Sequence, residues 1–173
     1  MCELHGYNME GQLDIEELNK TGELDRTVRR VRASEEIEKA AKQFMYGTIK
    51  LLKDTNGDGR MDESIVFADK LAPCYGICPA RDGIIAVGAP DILFLADRYG
   101  DGKAEVREVL YTGFEVGPIE RCINCPQWGL DDWIYVGRGH GGARVTGPNL
   151  AKHVNLPRTD FRINADGSAI EPI

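Results

Sequence analysis

The sequence predicts an all-β fold of short antiparallel strands joined by tight turns. Two acidic, glycine-containing turns, residues 54–62 and 97–105, each lie between runs that are rich in β-branched and apolar residues. The flanking runs are residues 47–52, 64–68, 92–95 and 106–111. Such runs bounded by Gly, Asn and Asp are typical of β-hairpins. The 20 glycines and 8 prolines of the chain suit a protein with many turns.

The acidic turn recurs, because Asp97 opens the second copy 43 residues after Asp54 opens the first. A repeat of 40–50 residues with several strands per repeat is typical of the blades of a β-propeller. Residues 74–79 and 83–88 fit the first two strands of one blade. Residues 122–129 and 133–137 fit the same two strands of the next, and residues 164–167 fit a plain hairpin turn. The sequence therefore predicts one domain, residues 1–173, holding about 2.5–3 four-stranded blades.

Two segments interrupt this pattern. Residues 8–46 are predicted to form a helical and loop insertion, with Ser34 as helix N-cap and an apolar stripe from Ile37 to Phe44. Residues 138–159 are predicted to form a long loop. Residues 1–7 fit the end of a second strand. Since a closed propeller of six or more blades needs roughly 250 residues, we expect a fragment of a propeller.

The first turn carries oxygen-bearing side chains at its positions 1, 3, 5 and 9, with Gly59 at position 6. Calcium takes about 6–8 oxygen ligands, and the glycine permits the sharp turn that directs them inward. Ile65 stands where a helix-loop-helix site has its final Glu, so a nine-residue form between two strands is predicted. In the second turn Tyr99 replaces the oxygen at position 3, which predicts weaker binding. The candidate ligands are Asp54, Asn56, Asp58, Arg60, Asp62, Asp97, Asp101 and Glu105; the alternative is a solvated acidic turn without metal.

Catalytic candidates lie in the predicted long loops and linkers, where binding residues are often found. His140, in a glycine-rich stretch, and His5 are candidates for a general base, and Arg121 for binding an anionic group. Each also fits an ordinary exposed position. Cys74, Cys78, Cys122 and Cys125 leave three alternatives open, namely a thiolate metal site, disulfides across strands, and buried thiols.

The net charge argues against a nucleic-acid partner, and the hydropathy argues against a membrane-spanning helix. The net charge of −7 argues against nucleic acid, which binds basic surfaces. No apolar run approaches about 18 residues, so the sequence predicts no transmembrane helix.

Residues 49–60 and 66–69 resemble the bacterial membrane-bound dehydrogenase propellers, also called PVC-type haem-binding propeller proteins. These are similar to glucose/sorbosone dehydrogenases. The resemblance covers about residues 45–173 and continues through residues 89–97, 108–114, 128–135 and 161–168.

The resemblance implies a periplasmic, secreted or cell-envelope propeller. Members are often followed by a c-type cytochrome domain, so haem c would lie outside this chain. Sugar-dehydrogenase relatives hold pyrroloquinoline quinone at the central channel and oxidise sugars or alcohols. Cys122 and Cys125 stand where polar residues are expected, and no family catalytic residue matches a position here. Three functions stay open: part of a quinoprotein-like dehydrogenase; a non-catalytic, calcium-stabilised propeller module that binds a glycan or a protein; or a fragment that is only a scaffold, whose exposed strand edges would aggregate in isolation.

Overall fold

The computed structural model describes residues 2–3, 47–116, 122–138 and 142–173, with the backbone alone described for residues 2–3. These residues form thirteen β-strands and no helix, so the predicted all-β class is confirmed for this part of the chain. The strands form three larger antiparallel sheets and one short hairpin. The predicted insertion, residues 8–46, lies outside the described residues.

The first sheet contains strands β1 (Cys2–Glu3), β2 (Gly47–Lys53) and β3 (Glu63–Leu71), in that order. β1 pairs with β2 through Cys2 and Ile49, which agrees with the predicted strand in residues 1–7. β2 and β3 form a hairpin around the first acidic turn. Both strands occupy the runs that the β-propensity of their residues predicts.

The second sheet is a meander of four consecutive strands: β4 (Cys74–Ala80), β5 (Gly83–Gly88), β6 (Asp91–Ala96) and β7 (Val106–Thr112). Its middle strands are almost continuously apolar because both faces of the sheet are covered. Ile85 and Val87 face one hydrophobic cluster, whereas Ala86 between them faces the other. The second acidic turn joins β6 to β7.

The third sheet contains β8 (Asn124–Trp128), β9 (Ile134–Gly137), β12 (Phe161–Ile163) and β13 (Ile170–Pro172), again in chain order from one edge to the other. Between β9 and β12 the chain forms a separate two-stranded sheet, β10 (Ala143–Val145) with β11 (Val154–Leu156). The sequence analysis predicted residues 138–159 as a loop, so this hairpin was missed. Its strands have only three residues each, too few for a periodic pattern.

The three larger sheets lie side by side, with the second sheet in the middle. The smaller hydrophobic cluster, which includes Ile49, Leu71 and Leu95, lies between the first and second sheets. The larger cluster lies between the second and third sheets and includes Phe94 and Phe161. Burial of such a side chain contributes roughly 1.5–3 kcal/mol. Most of the stability therefore comes from the two spaces between sheets rather than from any one sheet.

A β-bulge changes the predicted direction of one cysteine. Strand alternation alone predicts that Cys74 and Cys78 lie on one face of β4. The pairing of β4 with β5 shifts between Cys74 and Gly76, and an extra residue in one strand reverses the faces beyond it. As a result Cys74 packs into the smaller cluster and Cys78 into the larger one.

Candidate functional site

The first turn, residues 54–62, is a hairpin turn between β2 and β3. The Asp62 amide donates to the carbonyl of Lys53 at 2.9 Å and closes the hairpin. Gly57 and Gly59 have φ angles of 77° and 84°, a left-handed conformation that glycine adopts without steric cost. These two glycines fold the segment so that successive backbone amides point towards the side chain of Asp54.

Asp54 is the acceptor around which the first turn is folded. Its Oδ1 accepts from the Gly57 amide at 2.7 Å, and its Oδ2 accepts from the Gly59 amide at 2.8 Å. The amide of Asp58 adds a longer bond of 3.3 Å to Oδ1. These bonds, the one from Gly59 foremost, lower the pKa of the Asp54 carboxyl below its ordinary value of 3.8.

The remaining candidate ligands of the first turn also accept amides. Asn56 Oδ1 accepts from the Asp58 amide, and Asp58 Oδ1 accepts from the Arg60 amide. Asp62, at position 9, accepts from both the amide and the hydroxyl of Thr55, at 3.0 and 2.8 Å. The Thr55 amide is the main cause that lowers the pKa of Asp62. Asp54 and Asp62 are therefore ionised at neutral pH.

The second turn, residues 97–105, repeats this network at equivalent positions. Asp97 accepts from the amides of Gly100 and Gly102, and Asp101 accepts from the Lys103 amide. Glu105 takes the place of Asp62 and accepts from the Arg98 amide. The Gly102 amide is the main cause that lowers the pKa of Asp97. Sequence spacing thus predicted two turns of the same construction correctly.

The two turns differ in what surrounds them. A methyl group placed on Gly102 would lie 3.1 Å from the Cδ1 of Ile65 in β3, whereas one placed on Gly59 would meet nothing within 4 Å. Ala104, at position 8 of the second turn, is 5% exposed and donates its amide to the carbonyl of Phe67 at 2.7 Å. Met61, at position 8 of the first turn, is 61% exposed. The second turn is packed against the first sheet, and the first turn is open.

The donor types of the first turn suit calcium, which prefers carboxylate and carbonyl oxygens. In the described part of the chain, however, no three His, Cys, Asp or Glu side chains are grouped closely enough to hold a metal ion. The carboxylates of the turn are directed at the turn's own amides. Calcium binding therefore requires Asp58 and Asp62 to rotate towards Asp54.

A third turn, residues 164–169, joins β12 to β13 and is the plain hairpin that the sequence predicts. The Asn164 amide donates to the Ala169 carbonyl at 2.9 Å, and Gly167 has a φ of 79°. Tyr111 of β7 is completely buried, and its hydroxyl lies 2.9 Å from the Asn164 carbonyl and 2.7 Å from that of Ala169. Burial, with the charge of Asp166, raises the pKa of the Tyr111 phenol above its ordinary value.

The predicted catalytic residues cannot be placed. His5, Arg121 and His140 all lie outside the described residues, so their roles stay predictions. Near His140 in sequence, the guanidinium of Arg138 donates to the carbonyl of Pro157 at 2.9 Å, and the Arg138 amide donates to Asp160. Burial lowers the pKa of Arg138, although it remains charged at neutral pH.

Within the described ranges, the cysteines belong to no group of three or more His, Cys, Asp or Glu side chains that could hold a metal ion. Cys78 is buried and Cys125 is exposed, and both are free thiols. Burial raises the pKa of the Cys78 thiol, which makes it less reactive. Cys125 has a φ of 51° and precedes Pro126 in β8, where the strand pairing is irregular.

Two residues important for the contacts between sheets, Tyr111 and Ala104, were missed by the sequence analysis. The periodic pattern marks Tyr111 only as another strand residue, and nothing in its neighbourhood predicts a partner 53 residues away. Ala104 and Met61 occupy the same position of the repeated turn, so comparison of the two copies could have identified that position.

Together the sheets and turns define a class of protein: repeated antiparallel sheets, packed side by side and joined in part through acidic turns. The chain belongs to a family described as a domain of unknown function (DUF7133), whose model matches residues 19–173. No curated protein and no solved structure matches the chain. In the described residues no helix is long and apolar enough to cross a membrane.

Proposed function

We propose that this chain is a β-propeller segment in which calcium stiffens the first acidic turn. The observation that carries the calcium proposal is the network around Asp54, which collects the amides of Gly57, Asp58 and Gly59 on one carboxylate. This network holds a negatively charged group in place before any ion arrives. An ion then needs to reorient only Asp58 and Asp62, side chains that are exposed.

Support for the propeller comes from the arrangement of the sheets. The second and third sheets each have four strands in chain order, and their first strands, β4 and β8, are in contact. Gly76 of β4 and Pro126 of β8 meet so closely that a methyl group on Gly76 would lie 2.3 Å from the proline Cδ. Blades of a propeller meet in this way along their innermost strands. The proposal assigns one blade to each of the three larger sheets, the first of which is described in part.

Calcium binding is tested by titrating the EDTA-treated chain with calcium and following heat or terbium luminescence. We expect one tighter site, lost in the Asp54→Asn variant, and a weaker one, lost in Asp97→Asn. Asp132→Asn, an exposed acid outside both turns, is the matched control and should bind like the unmodified chain. Absence of binding, or unchanged binding by Asp54→Asn, would exclude calcium from this turn.

We further propose that the segment serves a quinoprotein-like dehydrogenase acting on a sugar or an alcohol. The support is the resemblance over about residues 45–173, together with a fold class and turn spacing that agree with it. In that reaction His140 or His5 would take the proton of the substrate hydroxyl, and Arg121 would bind an anionic group of the substrate or quinone. Pyrroloquinoline quinone, when bound, would supply the hydride acceptor, and a c-type cytochrome domain outside this chain would be the electron acceptor.

The test of this activity is reduction of an electron-accepting dye by the protein supplied with pyrroloquinoline quinone and candidate sugars or alcohols. We expect turnover that depends on the quinone and that His140→Ala or His5→Ala abolishes. His153→Ala provides the control, because His153 is exposed and was not predicted as catalytic. Turnover without quinone, or turnover that neither histidine variant lowers, contradicts the dehydrogenase proposal.

A non-catalytic binding module is the second candidate, favoured by exposed apolar side chains beside the β8–β9 turn. Trp128 is half exposed and Leu130 is fully exposed. The Trp128 indole donates to the carbonyl of Pro79 at 2.7 Å, so its ring is held in place rather than freely rotating. Fixed, partly exposed tryptophans are common where proteins bind partners. This candidate predicts binding of a glycan or a protein that Trp128→Ala weakens, without turnover and without an effect of quinone.

A further inference from the structure

Asn56 and Gly57 form the sole Asn-Gly dipeptide of the sequence, and they lie at positions 3 and 4 of the first turn. Such a dipeptide can react with itself, because the nitrogen of the glycine amide can attack the side-chain carbonyl carbon of the asparagine. A cyclic imide then forms, and glycine favours it because there is no Cβ to block the approach. The groups around the two atoms decide whether a folded protein promotes this reaction or suppresses it.

The attacking nitrogen has a base beside it. The Gly57 amide donates to Asp54 Oδ1 at 2.7 Å. A peptide nitrogen attacks through the electron pair that lies perpendicular to its peptide plane, so its N–H can stay directed at Asp54 during the attack. The proton becomes acidic as the new bond forms, and a carboxylate within hydrogen-bond reach then accepts it. Asp54 is therefore placed to act as the general base.

The carbonyl that is attacked has a hydrogen-bond donor. Asn56 Oδ1 accepts from the Asp58 amide at 2.9 Å. Attack on this carbonyl puts negative charge on its oxygen, and a backbone N–H that is already directed at the oxygen stabilises that charge, as in an oxyanion hole. Asn56 Nδ2 donates to Asp58 Oδ2 at 3.3 Å, which orients the side-chain amide. Residues 54–58 thus supply the base, the nucleophile and the oxyanion donor.

We propose that the first turn is a self-modification site, in which Asp54 and the Asp58 amide promote conversion of Asn56 to aspartate and isoaspartate. The Gly57 nitrogen bonds to Asn56 Cγ and passes its proton to Asp54. The C–N bond of the side-chain amide then breaks, and the proton moves from Asp54 to the departing nitrogen, which leaves as ammonia. Water opens the imide at one of its two carbonyls, which gives aspartate or isoaspartate.

Both products change the turn. Either product adds one negative charge to a chain whose net charge is −7. Isoaspartate also adds a methylene group to the backbone before Gly57, which moves the amides of Gly57 and Gly59 relative to Asp54. The network that folds the turn is therefore weakened in each modified chain, and the modified fraction grows with the age of the protein.

The second turn is a matched site that lacks the reactive residue. Gly100 has a φ of 74°, close to the 77° of Gly57, and its amide donates to Asp97 Oδ1 at 2.6 Å. Tyr99, however, stands at the position of Asn56. Tyr99→Asn should therefore create a second reactive site that has its own base.

The experiment incubates the full chain at neutral pH in EDTA and follows residue 56 by peptide mapping and mass spectrometry. We expect the mass gain of an amide that becomes an acid, the release of ammonia, and a mixture of aspartate and isoaspartate. The mixture is the mark of the imide, because direct hydrolysis by water gives aspartate alone. Asn56→Gln should lose the modification, since its side chain has to close a larger ring.

Comparison of the folded with the unfolded chain tests the role of the turn. In guanidinium chloride the Asn-Gly dipeptide remains, but the hydrogen bonds of the turn are lost. We expect the folded chain to react about tenfold faster or more, since one positioned base contributes roughly 10²–10⁴-fold in enzymes. Asp54→Ala should reduce the folded rate to that of the unfolded chain. Asp132→Ala, which removes an exposed acid outside the turns, should leave the rate unchanged.

Tyr99→Asn provides a second test that leaves the first turn intact. We expect modification at residue 99 as well as at residue 56. Tyr99→Gln is the matched control, because it also replaces the tyrosine by an amide but should show modification at residue 56 only.

Three results overturn the proposal: residue 56 that stays asparagine or gives aspartate alone, a folded chain that reacts no faster than the unfolded one, or a Tyr99→Asn chain that is unmodified at residue 99. The reaction uses groups of the turn and needs no ion, so it does not depend on the proposed calcium site. A chain that is modified in EDTA but binds no calcium retains this inference and loses that site. A chain that binds calcium but keeps its asparagine has the opposite result.

Discussion

Asp54 shows how a single side chain can organise a turn. Three backbone amides converge on its carboxylate, and Asp97 does the same in the second turn. Ionised carboxylates accept such bonds more strongly than neutral groups do. The same bonds that fold the turn therefore keep the carboxylate charged, which is the state that the proposed calcium site requires.

Acidification should loosen both turns. The pKa values of Asp54, Asp62 and Asp97 lie below the ordinary 3.8, so their bonds stabilise the folded state above that pH. This stabilisation is lost as the pH falls below 3.8 through the lowered pKa values, because protonated carboxyls accept amides weakly. Amide exchange or NMR shifts of Gly59 and Gly102 should move in this range. Unchanged signals of both glycines down to complete protonation would contradict the role of the carboxylates.

Tyr111→Phe tests the packing of the third turn on β7 at the scale of one hydroxyl. The two carbonyls that it reaches also accept amides within the third turn, so neither loses its only partner. We therefore expect a cost of about 1 kcal/mol in the free energy of unfolding, the typical net value of one hydrogen bond. Tyr135→Phe, which removes a hydroxyl bonded to Asp131 at the surface, should cost less. Urea denaturation measures both, and equal costs would contradict the proposed importance of Tyr111.

At the scale of elements, the sequence predicted most strands and the repeated turns. β2, β3, β6 and β7 occupy the expected runs, since local β-propensity and turn residues fix them. The β10–β11 hairpin was not predictable, because its three-residue strands depend on pairing with each other and on the bridge from Thr112 to Thr146. The bulge near Gly76 could not be predicted from the sequence either, because it arises in the pairing of β4 with β5.

The candidate site was predictable in part. Spacing alone placed the oxygens of Asp54, Asn56, Asp58 and Asp62 in one turn. It could not show that these groups bind their own backbone amides, since that depends on the φ angles of Gly57 and Gly59. Nor could the spacing show that, of these two turns, only the second packs against a neighbouring sheet, because that contact joins residues far apart in the sequence.

The residues at position 8 of the two turns allow a matched comparison of a packed turn with an open one. Ala104→Asp places a carboxylate where the second turn is packed against β3, at a residue that is 5% exposed. We expect a loss of about 2–4 kcal/mol in unfolding free energy, as for other unpaired charges forced into buried sites. Met61→Asp makes the same change in the open turn and should cost less than about 0.5 kcal/mol within one chain. Thermal or urea denaturation compares the two.

If both variants lose similar stability, the second turn is not packed more tightly than the first. The comparison is sharp because the two turns share backbone conformation and network, and differ mainly in the sheet beside them.

At the scale of the whole molecule, the protein is held together between sheets. Phe114, two residues after β7, stacks on Phe161 of the third sheet with ring centroids 5.4 Å apart. Arg107 and Ala104 connect the second sheet to the first. Unfolding should therefore be cooperative across the three sheets, since the middle sheet loses the cover of one face when either neighbour leaves.

Gly76→Ala tests the contact of the innermost strands. The added methyl group would lie 2.3 Å from Pro126 Cδ and 3.2 Å from the Cys125 amide nitrogen, so the second and third sheets must move apart. We expect a loss of roughly 1–3 kcal/mol, the usual cost of overpacking. Gly142→Ala is the control, because its methyl group would meet nothing within 4 Å. Equal stabilities of the two variants, measured by calorimetry, would show that β4 and β8 are not in close contact.

The packing of turns on strands also has a consequence for how such a protein can lengthen during evolution. The second sheet packs its turn on β3 of the first sheet and offers β7 to the turn of the third sheet. A tandem duplication of this repeat would therefore insert a turn and an outermost strand together, so that each neighbouring contact keeps a partner of the same kind. Copies of the repeat could then diverge one at a time without a new contact having to arise.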